Sequence, residues 1–70
     1  METEKLIARW QVLLNEPGDA IASPVVLQER VDILHRLNQL GVREIEGVSI
    51  FTSMEATSAL MREITRASAA

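Results

Sequence analysis

Val42-Arg43-Glu44-Ile45-Glu46-Gly47-Val48-Ser49-Ile50-Phe51-Thr52 joins two stretches of helical patterning and holds the strongest strand chemistry in the chain. As a hairpin, Glu46-Gly47 forms a two-residue turn, and residues 42–45 pair antiparallel with residues 48–51. Gly47 supplies the positive φ that so tight a turn requires, and Val42, Ile45, Val48 and Ile50 suit a pleated surface. The turn then sets Ile45 opposite Val48 and Arg43 opposite Ile50 on one face, with Glu44 opposite Ser49 and Val42 opposite Phe51 on the other. The fold class expected is α+β, a small domain of helix, helix, short β-hairpin and helix. The rival assignment leaves residues 43–46 to their helix propensity and the region around Gly47 as a loop, which makes the chain an all-α three-helix bundle.

Immediately before the hairpin, Gly41 is placed to close a helix at the position after its C-cap. That helix is expected over residues 24–40. Ser23-Pro24 opens it with an N-cap hydroxyl and a proline at the first helical position, where the missing N–H costs nothing. Val26, Leu27, Val31, Ile33, Leu34, Leu37 and Leu40 cover nearly half its circumference, so the helix should contact two other elements. Arg30 interrupts that face between Leu37 and Leu34. Either its aliphatic stem packs while the guanidinium reaches solvent, or it is a charge at a subunit contact paired there with an acid, because an unpaired arginine in a core is costly. Gln28, Asp32, His35 and Gln39 form the opposite, solvated face.

Downstream, Thr52-Ser53-Met54-Glu55 reads as a capping box that starts a helix over residues 53–67. Ala56, Leu60, Ile64 and Ala67, flanked by Thr57 and Met61, are expected as its buried stripe, and Glu55, Arg62 and Arg66 as its wet side. The last four residues are expected to fray.

At the other end of the chain, Leu6, Ile7, Trp10, Leu13 and Leu14 predict an amphipathic helix over residues 3–14 with Thr3 as N-cap and Val12 off the stripe. Trp10 belongs to the core or serves as an interface anchor, a role in which tryptophan is over-represented. Asn15-Glu16-Pro17-Gly18 should stop this helix, and residues 15–23 form a linker long enough to fold it back on the second helix or swing it out to a neighbouring subunit.

Seventy residues make one domain, numbered 1–70 throughout, with a core only marginally sufficient for its surface. The chain has no cysteine, which removes disulfides, thiolate nucleophiles and the usual structural zinc sites. Without such staples a core of this size leaves only about 3–5 kcal/mol, which favours oligomerisation. No apolar run approaches the length of a membrane span, and METEKLIARW lacks the apolar run of a signal peptide, so a cytoplasmic location is expected. The net charge of −3 opposes general nucleic-acid affinity. In a DNA-binding variant the second or third helix would enter a groove, and Glu29, Asp32, Glu55 and Glu63 on those helices oppose it.

Residues 27–64, LQERVDILHRLNQLGVREIEGVSIFTSMEATSALMREI, carry a resemblance. Their order of helix, glycine, short hairpin and Ser/Thr-capped helix is similar to the lambda W-type head–tail joining proteins of tailed phages and their prophage relatives. Leu-Gly-Val-Arg at 40–43 leads into the hairpin, and Ile-Phe-Thr-Ser-Met-Glu at 50–55 carries a strand-end aromatic into the capped helix. The resemblance covers about half the chain. It implies a small α+β adaptor that assembles into a ring at the capsid vertex, contacting a portal on one side and a tail or neck protein on the other, and so a place in the virion. The chain departs from the pattern in its shorter hairpin, its acidic net charge and the additional helix within residues 1–24.

No enzyme is expected, because no nucleophile–base pair, phosphate loop or metal constellation can be assembled from these residues. His35 stands alone, and Glu44 and Glu46 flank a turn in solvent. No cofactor or metal is expected either. The function expected is therefore non-enzymatic: an assembly or adaptor protein that binds copies of itself or a larger protein, or alternatively a small dimeric regulatory module of antitoxin or chaperone type. Trp10, Arg30, Phe51, Arg62 and Arg66 are the candidate partner-binding residues.

Overall fold

A computed structural model describes residues 1–15 and 23–69. In chain order these form α1 (Glu2–Leu14), α2 (Pro24–Gln39), β1 (Glu44–Ile45), β2 (Val48–Ser49) and α3 (Ile50–Ala69). The hairpin is present, so the domain is α+β and predominantly helical. The expected stop at Pro17-Gly18 and most of the expected linker lie outside the described residues.

The hairpin has the expected register, Glu44 opposite Ser49 and Ile45 opposite Val48. Glu46 and Gly47 both take positive φ, 52° and 80°, the pair of left-handed conformations that matches the twist of the flanking strands. The ladder is shorter than residues 42–51. After Ser49 the Ile50 N–H still donates to the Arg43 carbonyl at 2.9 Å, but Ile50 already lies in α3, so the outermost expected pair, Val42 with Phe51, does not form.

The start of α3 corrects the expected capping box. Ser49, not Thr52, stands ahead of the first turn, and its Oγ accepts from the Phe51 N–H at 3.2 Å, which satisfies one of the helix's unpaired donors. Thr52 and Glu55 are exposed residues inside the helix. Starting three residues early changes which face turns inward. Ile50 and Thr57 are buried and Met54, Met61 and Ile64 half-buried, so of the expected stripe Ile64 and its flanking Thr57 and Met61 face inward while Ala56, Leu60 and Ala67 are exposed. Offsets of four, seven, eleven and fourteen from Ile50 give the true inner face. The helix also continues through Ala69, beyond the expected end at 67.

At the end of α2, Gly41 takes φ 88°. Its N–H donates to the Asn38 carbonyl at 3.1 Å and the Val42 N–H to the Leu37 carbonyl at 3.0 Å, the two bonds of a Schellman closure. Val42 also packs against the core that includes Leu37. Ser23 occupies the N-cap of α2 in an extended conformation with Pro24 next to it, but its hydroxyl makes no capping hydrogen bond. In α1 the helix begins at Glu2 with Met1 in the cap position, so Thr3 is not the cap. Glu2 and Glu4 lie in the first turn, where negative charge complements the helix dipole. At the far end Asn15 folds its side-chain amide onto the Gln11 carbonyl at 2.8 Å.

α2 packs against both α1 and α3, as its wide apolar face requires. Trp10 and Leu13 from α1, Ile33, Leu34 and Leu37 from α2, Ile45 from the hairpin and Ile50 from α3 form the core, with Leu6, Ile7, Val26, Val42 and Met54 against it. α1 lies on α2 within the same chain and runs antiparallel to it. Two bidentate pairs mark the alignment: Arg36 donates to Glu2 at 2.6 and 2.9 Å, and Arg9 to Glu29 at 2.6 and 3.0 Å. These pairs are about half exposed, so they orient α1 more than they stabilise it.

Candidate functional site

The hairpin, α1 and the first turns of α3 enclose a groove of about 220 Å³. Trp10 and Leu14 come from α1, Ile45, Glu46 and Val48 from the hairpin, and Thr52, Ser53 and Ala56 from α3. Arg30 reaches the groove from α2. The turn geometry explains the hairpin's share, because a tight two-residue connection holds Glu46 and Val48 beside α1. The Gln11 side-chain amide donates to the Glu46 carboxylate across this edge.

Arg30 is the unusual member. It is 7% exposed, so its guanidinium does not run out to solvent along a packed stem. The guanidinium carbon stands 5.1 Å from the centre of the Trp10 ring, a cation–π distance. Among the described residues its buried Nε has no hydrogen-bond partner, and no carboxylate pairs with it. Burial pushes its pKa down, but a guanidinium starts so high that it stays charged. The groove therefore holds a positive charge whose desolvation is offset only by an aromatic face.

Trp10 and Arg30 are thus brought together, whereas the other three candidates lie elsewhere. Phe51 is 60% exposed in the first turn of α3. Arg66 is exposed and stands 3.8 Å from Glu63 on the same helix. Arg62 lines a separate surface depression with Met54, Glu55, Ser58 and Ala59. Leu14, Val48, Thr52, Ser53 and Ala56 were not among the expected contact residues. The hairpin signals Val48, Thr52, Ser53 and Ala56, since the helix it leads into starts directly after its second strand, whereas Leu14 of α1 has no such local signal.

α3 contributes one further anomaly. Thr57 is fully buried on the inner face, and its hydroxyl has no hydrogen-bond partner among the described residues. His35 is exposed on the solvated side of α2. Among the described residues, no three His, Asp or Glu side chains gather as metal ligands do, and no helix is long and apolar enough to cross a membrane. Compared with known protein families, with curated proteins and with solved structures, the chain matches none of them.

Proposed function

We propose that the protein is a non-enzymatic assembly or adaptor protein that works through protein–protein contacts. One observation carries this: apolar side chains remain exposed along one side, where Leu14 and Val48 border the groove and Leu60 lies one turn beyond Ala56 on the same side of α3. Burying such a strip against another polypeptide supplies apolar area that a small domain does not bury by itself. The partners proposed are copies of the same chain, a larger protein, or both; nucleic acid and membrane are not.

The sharpest form of the proposal is head–tail joining in a phage or prophage particle, with a portal or tail component as the larger partner and a cytoplasmic or virion location. It rests on the sequence resemblance across residues 27–64. The alternative is a small dimeric regulatory module. The strip's short reach along one groove favours it, because a single partner helix suffices to cover Leu14, Val48 and Leu60.

The deciding experiment is light scattering behind a sizing column over a concentration series. A ring of many subunits, formed alone or on a larger partner, is expected for joining, and a tight dimer at every concentration for the regulatory module. A stable monomer at every concentration that captures no larger protein refutes the assembly role.

A further inference from the structure

The geometry points to a second copy of this chain as the occupant of the groove, with its Glu63 as the acid that pairs with Arg30. The inference rests on the assembly role proposed above and adds the contact itself.

Three observations converge on it. Arg30 is more than nine-tenths buried, unpaired among the described residues, and lines the groove, so an occupant bearing a carboxylate is favoured over a neutral one. The outer side of α3 carries Ala56, Leu60 and Ala67, all exposed, and at 100° per residue Ser53 and Glu63 fall on this same side. Small Ala56 and Ala67 stand on either side of large Leu60 along it, which suits ridge-into-groove packing of one helix on another.

The register follows from these positions. If two α3 helices pair antiparallel with Leu60 of one copy seated on Ala56 of the other, the sum of paired residue numbers is fixed. Glu63 of each copy then falls opposite Ser53 of its partner, and Ser53 is a wall of the Arg30 groove. The contact is reciprocal, as a twofold interface must be. Glu63 is available, since its ion pair with Arg66 is long, at 3.8 Å, and both side chains are more than two-thirds exposed. Such a contact closes at two copies, so any larger assembly would be built from dimers.

Sedimentation equilibrium of the full chain from micromolar to millimolar concentration tests this. The natural sequence is expected to show a monomer–dimer equilibrium. Glu63→Gln, an exposed change that leaves the monomer folded, weakens it by roughly 30-fold (about 2 kcal/mol). Arg30→Met does the same, and the double variant is no weaker than either single one. Glu55→Gln, an exposed acid away from this side of α3, leaves the dimer unchanged. A dimer insensitive to Glu63→Gln overturns the Arg30–Glu63 contact while leaving assembly standing. A chain that stays monomeric throughout overturns the second-copy occupant, and if Trp10 fluorescence of that monomer responds to poly-glutamate, the groove belongs to an acidic segment of another protein.

Discussion

Replacing Arg30 by methionine should make the monomer more stable. Methionine keeps most of the aliphatic stem that packs beside Trp10 and removes the charge. Taking an unpaired ion out of water costs several kcal/mol after relaxation, and the cation–π contact at 5.1 Å returns only about 0.5–2 kcal/mol of that. The net gain expected on Arg30→Met is about 1–3 kcal/mol, which for a domain of this size raises Tm by roughly 5–20 °C. Urea unfolding followed by fluorescence reads it directly, because Trp10 is the only tryptophan and it is buried beside the substituted side chain. The measurement belongs at concentrations where the chain is monomeric, so that any loss of self-association does not enter the balance. At an m-value near 1 kcal/mol/M the midpoint should move up by about 1 M or more. A midpoint that instead falls by a comparable amount would refute the reasoning, and would make Arg30 a strut that holds Trp10 in place.

Thr57→Val is expected to stabilise by about 1 kcal/mol in the same assay, since it replaces a buried hydroxyl without a partner by an isosteric methyl; a loss of stability would show that the hydroxyl is satisfied in solution. Glu46→Asn should raise the urea midpoint by up to about 1 kcal/mol equivalent, because asparagine tolerates the left-handed conformation at φ 52° better than glutamate does, and an unchanged or lower midpoint would mean the bond from Gln11 outweighs the backbone gain. Hydrogen bonds from Arg36 and Arg9 hold the Glu2 and Glu29 carboxyls below their ordinary pKa. Their contribution is therefore complete above the unfolded carboxylate range and lost as pH falls through the lowered folded values. An acid titration should loosen α1 first, seen as a Trp10 change that salt brings to higher pH and that Glu2→Gln with Glu29→Gln flattens; a titration untouched by that double change would remove the pairs from the account.

Where one residue type dictates a backbone conformation, the sequence was a sufficient guide. Gly41 and Gly47 each take the positive φ expected of them, Pro24 stands at the head of α2, and the hairpin register follows from the two-residue turn. The wide face of α2 likewise implied two packing neighbours. Competition between equivalent signals defeated the same approach in α3. Ser49 and Thr52 are both able caps, and the chain uses Ser49 because Ile50 is needed in the core directly after the ladder. The inner face then follows from that start. Judged by hydropathy alone, Ala56 and Leu60 look as fit for burial as Met54, so the expected stripe is rotated from the true face, sharing Thr57, Met61 and Ile64 with it but placing Ala56, Leu60 and Ala67 inward. For the groove, Trp10 and Arg30 stood out individually, but their stacking depends on how α1 lies on α2, and nothing local to residues 10 or 30 encodes that.

The Schellman closure at Gly41 also bears on the order in which the domain assembles. It delivers α2 into the hairpin without slack, and the hairpin delivers α3, so residues 23–69 reach their contacts with each other through short loops. Such local topology folds fast, because little chain entropy is lost before contacts form. α1 joins from across a longer stretch of chain and is held by one buried face, two exposed ion pairs and the bond from Gln11 to Glu46. It should therefore be the first element to open and the last to dock. Amide hydrogen exchange would show this as protection in α1 lower than in α2 and α3, and equal protection in all three helices would mean that the domain opens as a single unit.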